Sequence, residues 1–203
     1  FDVVTYRGSD NQMEVEMDFS IPARQLGYAR DGIGGDLTSF SSRVVLRDYA
    51  LHRVTDTAFK IGPIERPKFK VSRKYAKSNV RIASLNMTTS PARYRIAVAI
   101  RDSVSRRIGI YEARLAVWNY DNEALNLSDI KLAADIIPGA RSGPFVRHGF
   151  KIIPNPSLQF KRTKPIHLYY ELYNLTKDED GRTAYRTDIE ITMKRKDMNI
   201  VFR

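Results

Sequence analysis

Ile152 to Met193 reads IIPNPSLQFKRTKPIHLYYELYNLTKDEDGRTAYRTDIEITM. Two runs rich in β-branched and aromatic residues flank Lys177-Asp178-Glu179-Asp180-Gly181, which predicts a long β-hairpin with its turn at that point. In the returning run Tyr185, Thr187, Ile189, Ile191 and Met193 share one face, with Arg186, Asp188, Glu190 and Thr192 opposite. Gly181 supplies the positive-φ residue that a short hairpin with a bulge requires. Pro154-Asn155-Pro156-Ser157 reads as a rigid turn, because two fixed φ angles and two missing donors end one strand and redirect the chain.

The same period-2 pattern runs through the rest of the chain. In Met13 to Phe19 every odd position is apolar and every even one acidic, so one strand face is expected in the core and the other in water. Ser42 to Val54 resumes a strand pattern with a break near Asp48. Arg93–Arg101 and Ile108–Val117 make a second hairpin about a turn at Asp102–Ser105. Trp118–Glu123 is polar and reads as a linker. Leu127–Ile137 is expected as a strand, on the Ile130/Leu132 spacing, and ends at Pro138-Gly139. Short strands at regular spacing predict an all-β fold of two antiparallel immunoglobulin-like β-sandwich units in tandem, residues 1–120 and 125–203. Four or five strands after residue 125 are few for a closed sandwich. The second unit is therefore expected to be incomplete, packed against the first, or completed by another chain.

Composition narrows function mainly by exclusion. There is no cysteine among the 203 residues, which removes disulfides, thiol nucleophiles and cysteine metal sites. No run approaches the ~18 apolar residues of a membrane span. The chain opens at Phe1, as expected of a processed or truncated product, so a missing signal says little about a precursor's address. His52, His148 and His167 are not within metal-ligand spacing of one another, and no nucleophile elbow surrounds Ser128 or Ser157. No catalytic residue, metal ligand or cofactor is expected.

Net charge is +11, and it is concentrated. Lys60 to Arg81 holds eight Lys/Arg against Glu65 alone. Within it Arg66, Lys68, Lys70, Arg73, Lys74 and Lys77 interleave with Phe69 and Tyr75. This basic loop is the expected binding segment for an acidic protein subunit or an anionic envelope polymer. Nucleic acid is disfavoured because no nucleic-acid fold motif accompanies the loop. Trp118, Tyr169, Tyr170 and Tyr173 are a second candidate, an aromatic platform for a carbohydrate or cell-wall polymer. The acidic row Glu14, Glu16, Asp18 reads as a solvated strand face.

Six segments in order carry a family resemblance. They are Arg93-Tyr94-Arg95, Gly109-Ile110-Tyr111-Glu112, Leu127-Ser128-Asp129-Ile130-Lys131-Leu132-Ala133, Pro154-Asn155-Pro156-Ser157, Tyr169-Tyr170-Glu171-Leu172-Tyr173-Asn174-Leu175 and Gly181-Arg182-Thr183-Ala184-Tyr185-Arg186. Over about half its length the chain thereby resembles the C-terminal β-rich part of bacterial GWxTD-domain proteins. The Gly-Trp-x-Thr-Asp motif itself is absent, the single tryptophan being Trp118 in a Val-Trp-Asn context. The resemblance implies an exported or envelope protein, periplasmic or extracellular, acting as a non-enzymatic structural or assembly subunit.

Overall fold

The computed structural model describes residues 1–30, 36–65, 80–195 and 198–202. Among the described residues it is all-β and antiparallel, with one 3₁₀ turn at Ala23–Gln25. Among the described residues no helix is long and apolar enough to cross a membrane. The first sheet has the order β1 (Asp2–Arg7), β2 (Met13–Pro22), β6 (Val80–Thr89). The second is built from β3 (Ala29–Arg30), β4 (Asp36–Arg47), β5 (Arg53–Glu65), β7 (Ala92–Asp102) and β8 (Ile108–Val117), with β4 between β5 and β7, and β8 at the edge.

Alternation decides which side chains meet between these two sheets. Met13, Val15, Met17 and Phe19 leave one face of β2 and pack on Phe40, Val44 and Leu46 of β4 and Ile96 and Val98 of β7. Each such side chain contributes about 1.5–3 kcal/mol by leaving water. Phe19 and Phe40 meet edge to face at 6.1 Å, a preferred aromatic geometry. The hairpins fall where the turn residues put them. Asp48 closes β4–β5 by accepting from the His52 amide at 2.8 Å, and Asp102 closes β7–β8 by accepting from Val104 and Ser105.

After residue 125 the described strands form one four-stranded sheet and two ribbons. The sheet order is β11 (Val146–Arg147), β12 (Phe150–Pro154), β10 (Lys131–Pro138), β13 (His167–Tyr169). One ribbon pairs β9 (Asn126–Leu127) with β14 (Leu172–Tyr173), and the other pairs β15 (Ile191–Arg195) with β16 (Met198–Phe202). The expected long hairpin therefore forms only at its tip. Asp178 and Arg182 share a backbone bond and Gly181 has φ +76°, but residues 183–190 pair with no strand, and Ile191–Arg195 pairs onward with Met198–Phe202. The outgoing run is broken at Tyr170-Glu171, where the chain leaves β10 and joins β9.

The linker and the acidic face also differ from expectation. Tyr120 is buried, stacks at 5.4 Å on Tyr173 and bonds Thr5. Glu16 and Asp18, expected in water, are 9% and 1% exposed. Their face of the β1–β2–β6 sheet is covered by the second half, and both bind Lys131 of β10, itself 1% exposed. The Lys131–Asp18 contact is 2.6 Å. Burial, offset by Lys131 and reinforced by Glu16, pushes the Asp18 carboxyl above its usual range. Alternation reports that two faces differ; it does not report that a later strand will bring a cation to the polar one.

Removing that cation strands two buried carboxylates, which costs about 3–5 kcal/mol. Lys131→Met is expected to lose that much in urea unfolding, and adding Glu16→Gln and Asp18→Asn should recover most of it.

Candidate anion-binding face

The outer face of the β5–β4–β7–β8 sheet carries a line of arginines drawn from four strands. Arg47 lies opposite Arg53 in β5 and opposite Arg95 in β7, and Arg95 lies opposite Arg114 in β8. Adjacent strands sit ~4.8 Å apart, so the row spans roughly 14 Å and each charge lies within the ~8–10 Å screening length of physiological salt from its neighbours. Arg43, Lys60, Arg93 and Arg101 share this face by the same alternation, and so do Asp56 and Glu112.

Local sequence sets each position. In Arg43-Val44-Val45-Leu46-Arg47 the even residues go into the core and the arginines outward; Arg93-Tyr94-Arg95-Ile96 does the same in β7. The Asp48–His52 turn, with Leu51 at φ +66°, then returns the chain so that Arg53 faces Arg47. Asp56 takes up two of the charges: Arg43 at 2.6 Å and Arg53 at 2.7 Å. The hydrogen bond from Arg43 holds the Asp56 carboxyl below its usual range. Arg93, Arg95, Arg101 and Arg114 have no carboxylate partner among the described residues. The small side chains of Ala97 and Ala99 leave a trough beside them, and a cleft of about 490 Å³ is lined by Arg47, Leu51, Arg95, Ala97, Glu112 and Arg114. Like charges directly opposite one another on a sheet repel. Arg95 and Arg114, exposed and without a carboxylate partner among the described residues, can therefore lower their energy by taking up an anion, for which the planar fork of arginine is suited.

The expected basic loop, Arg66, Lys68, Phe69, Lys70, Arg73, Lys74, Tyr75 and Lys77, lies outside the described residues; in the chain it joins β5 to β6. The expected aromatic platform is dispersed. Trp118 is 60% exposed, and Tyr170 reaches Thr187 at 3.4 Å. Tyr169 and Tyr173 instead aim their hydroxyls at Glu171, at 2.8 and 2.7 Å. Glu171 also accepts from Arg147, whose guanidinium lies 3.8 Å above the Tyr6 ring and bonds Glu14 at 2.6 Å. Burial raises the Glu171 carboxyl, but the bonds from Arg147, Tyr173 and Tyr169 outweigh it and hold the group below its usual range. This cluster joins the two halves of the chain and uses its charges internally. Among the described residues no group of three or more His, Cys, Asp or Glu could hold a metal ion.

Sequence reasoning missed the arginine row although it placed Arg93–Arg101 and Ile108–Val117 in one hairpin. The charges lie 6, 19, 42 or more residues apart along the chain, and only the strand register brings them into one line. Neither family models, curated proteins nor solved structures gave a match to this chain.

Two outcomes follow from these contacts. Arg95→Gln, which removes two like-charge neighbours, is expected to stabilise the fold by about 0.5–1 kcal/mol at low salt and by less at high salt in thermal unfolding. Glu171 has a depressed folded-state pKa, so its contribution is complete above the usual glutamate range and is lost as pH falls through the depressed value. Glu171→Gln should therefore lower stability at neutral pH and flatten its decline on acidification, read from denaturation midpoints between pH 7 and about pH 3.

Proposed function

We propose that this protein is a non-enzymatic binding and assembly subunit that docks an anionic protein surface or an anionic polymer on its arginine face. The observation that carries the reading is the cross-strand row Arg53, Arg47, Arg95, Arg114. Arg53 is met by Asp56, whereas Arg47, Arg95 and Arg114 stand in line without a carboxylate partner among the described residues, and they gain most from a partner carrying carboxylates or phosphates at similar spacing. The polarised charge of Lys60 to Arg81, in the segment that continues from β5, adds to the same preference.

The resemblance of residues 93–193 to GWxTD-domain tails supports a bacterial envelope address, periplasmic or extracellular, in company with other subunits. In that setting acidic subunit surfaces and anionic wall or lipid-linked polymers are the available partners. An extended row reads a line of charge rather than one group, which suits a scaffold contact better than a small-molecule site.

Titration with poly-L-glutamate, followed by calorimetry over a range of salt concentrations, tests the reading. The Arg95→Gln, Arg114→Gln double variant is expected to bind at least about tenfold more weakly, with a salt slope shallower by about two. The control variant Lys151→Gln, Lys161→Gln, in the second half, should bind as the parent does. Equal weakening in both variants, or none in the first, would sink the proposal.

A further inference from the structure

We infer that two copies of this chain associate through β8, which pairs antiparallel with itself about Ala113 and joins the two arginine-bearing sheets into one. The inference shares Arg114 with the row but rests on the strand edge, so Arg95→Gln alone, which weakens anion binding only, separates the two.

β8 ends its sheet. It pairs with β7 from Ile108 to Val117 without a register shift, and no other strand adjoins its outer edge among the described residues. Seven of its ten residues are exposed. A long, flat, exposed edge is a template for further pairing unless the chain blunts it. Two other edges are blunted. β5, at the opposite side of the same sheet, contains Gly62-Pro63, and its ladder with β4 has two register shifts. On β1, the free backbone is taken up by side chains: Asp129 accepts from the Thr5 amide at 2.8 Å, and the Tyr173 hydroxyl accepts from Arg7 at 3.0 Å. Among the described residues β8 has no proline, no register shift and no side chain bonded to its outer backbone, and it exposes Ile108 and Ile110 at 59% and 71%.

The sequence of β8 identifies the occupant. With Ala113 on a two-fold axis, Glu112 faces Arg114 of the second copy, and Arg114 faces its Glu112. Neither residue has an ion-pair partner within the chain among the described residues. On the same face Ile110 meets Ala116, and Ile108 meets Trp118, covering the exposed indole. On the core-side face Tyr111 meets Leu115, and Gly109, with open space where a Cβ would be, meets Val117. Shifting the axis to Glu112 or to Arg114 sets like charges opposite each other. Axes between residues turn the second copy over and set core faces against wet ones. Only the Ala113 register satisfies both charges, and it is isologous, as a closed dimer requires.

An edge-strand pairing is a small interface, under ~1,200 Å², so a dimer of roughly micromolar affinity is expected. Sedimentation velocity of the full chain up to about 200 µM reads it. The parent should dimerise. Glu112→Arg and Arg114→Glu should each weaken the dimer roughly tenfold or more by placing like charges opposite one another twice. The double exchange Glu112→Arg, Arg114→Glu restores both pairs and should restore the dimer. Both positions are exposed, so folding is expected to survive each change. Because the chain has no cysteine, Ala113→Cys adds a single thiol per copy, which should oxidise to a disulfide-linked dimer; Ala99→Cys, in mid-sheet, should not. A parent that stays monomeric overturns the inference. So does a dimer indifferent to the single exchanges, a double exchange that fails to restore it, or equal cross-linking at both cysteines.

Discussion

The four-stranded sheet after residue 125 meets the β1–β2–β6 sheet across a buried exchange of charge. Glu14, Glu16 and Asp18 stand in a row on β2, and the second half answers them with Lys131 and Arg147. Burying charge is costly unless each ion is met at close range, so the geometry around these cations is tightly constrained. Lys131 must leave β10 at the point where β10 crosses β2. Arg147 must serve Glu14 and Glu171 together while lying over Tyr6. Those requirements place the four-stranded sheet against the outer face of β1–β2–β6, and they account for the polar character of that face.

The same contacts give structural roles to segments that looked like signatures. Leu127-Ser128-Asp129 closes the edge of β1 through Asp129 and bonds Glu171 through Ser128. Tyr169 and Tyr173 orient Glu171, and Asn174, at φ +62°, accepts from Arg7 and donates to the carbonyls of Asn122 and Ala124. Pro156 offers its carbonyl to the nitrogen of Phe1 at 2.8 Å. These residues are occupied in holding two parts of the chain together, and the arginine face lies on a different sheet.

How much of this was legible depends on the range of the interaction. The strands at Met13–Phe19, Arg93–Arg101 and Ile108–Val117, and the turns at Asp48 and Asp102, follow from alternation and turn chemistry, which act over a few residues. The strand reading of Leu127–Ile137 held except at Ser128–Ile130, where Asp129 leaves the ladder to bond Thr5. The return strand at Tyr185–Ile189 has the right pattern and no strand partner, because the segment before it is committed to β10 and β9. The buried acidic row and the arginine line were invisible for a common reason. Each depends on which strand lies beside which, and period-2 patterning describes a strand without naming its neighbour.

The bond between Thr5 and Asp129 spans 124 positions, and that between Arg7 and Asn174 spans 167. Contacts of such separation make for slow folding, because long loops must close before the reward arrives. During synthesis β1 and β2 emerge well before Lys131 and Arg147 exist. Over that interval three carboxylates of β2 still face water, and the first sandwich is held by its apolar side alone. The drying of the acidic row is therefore a late event of assembly, because the cations that meet it lie in the part of the chain made after β2.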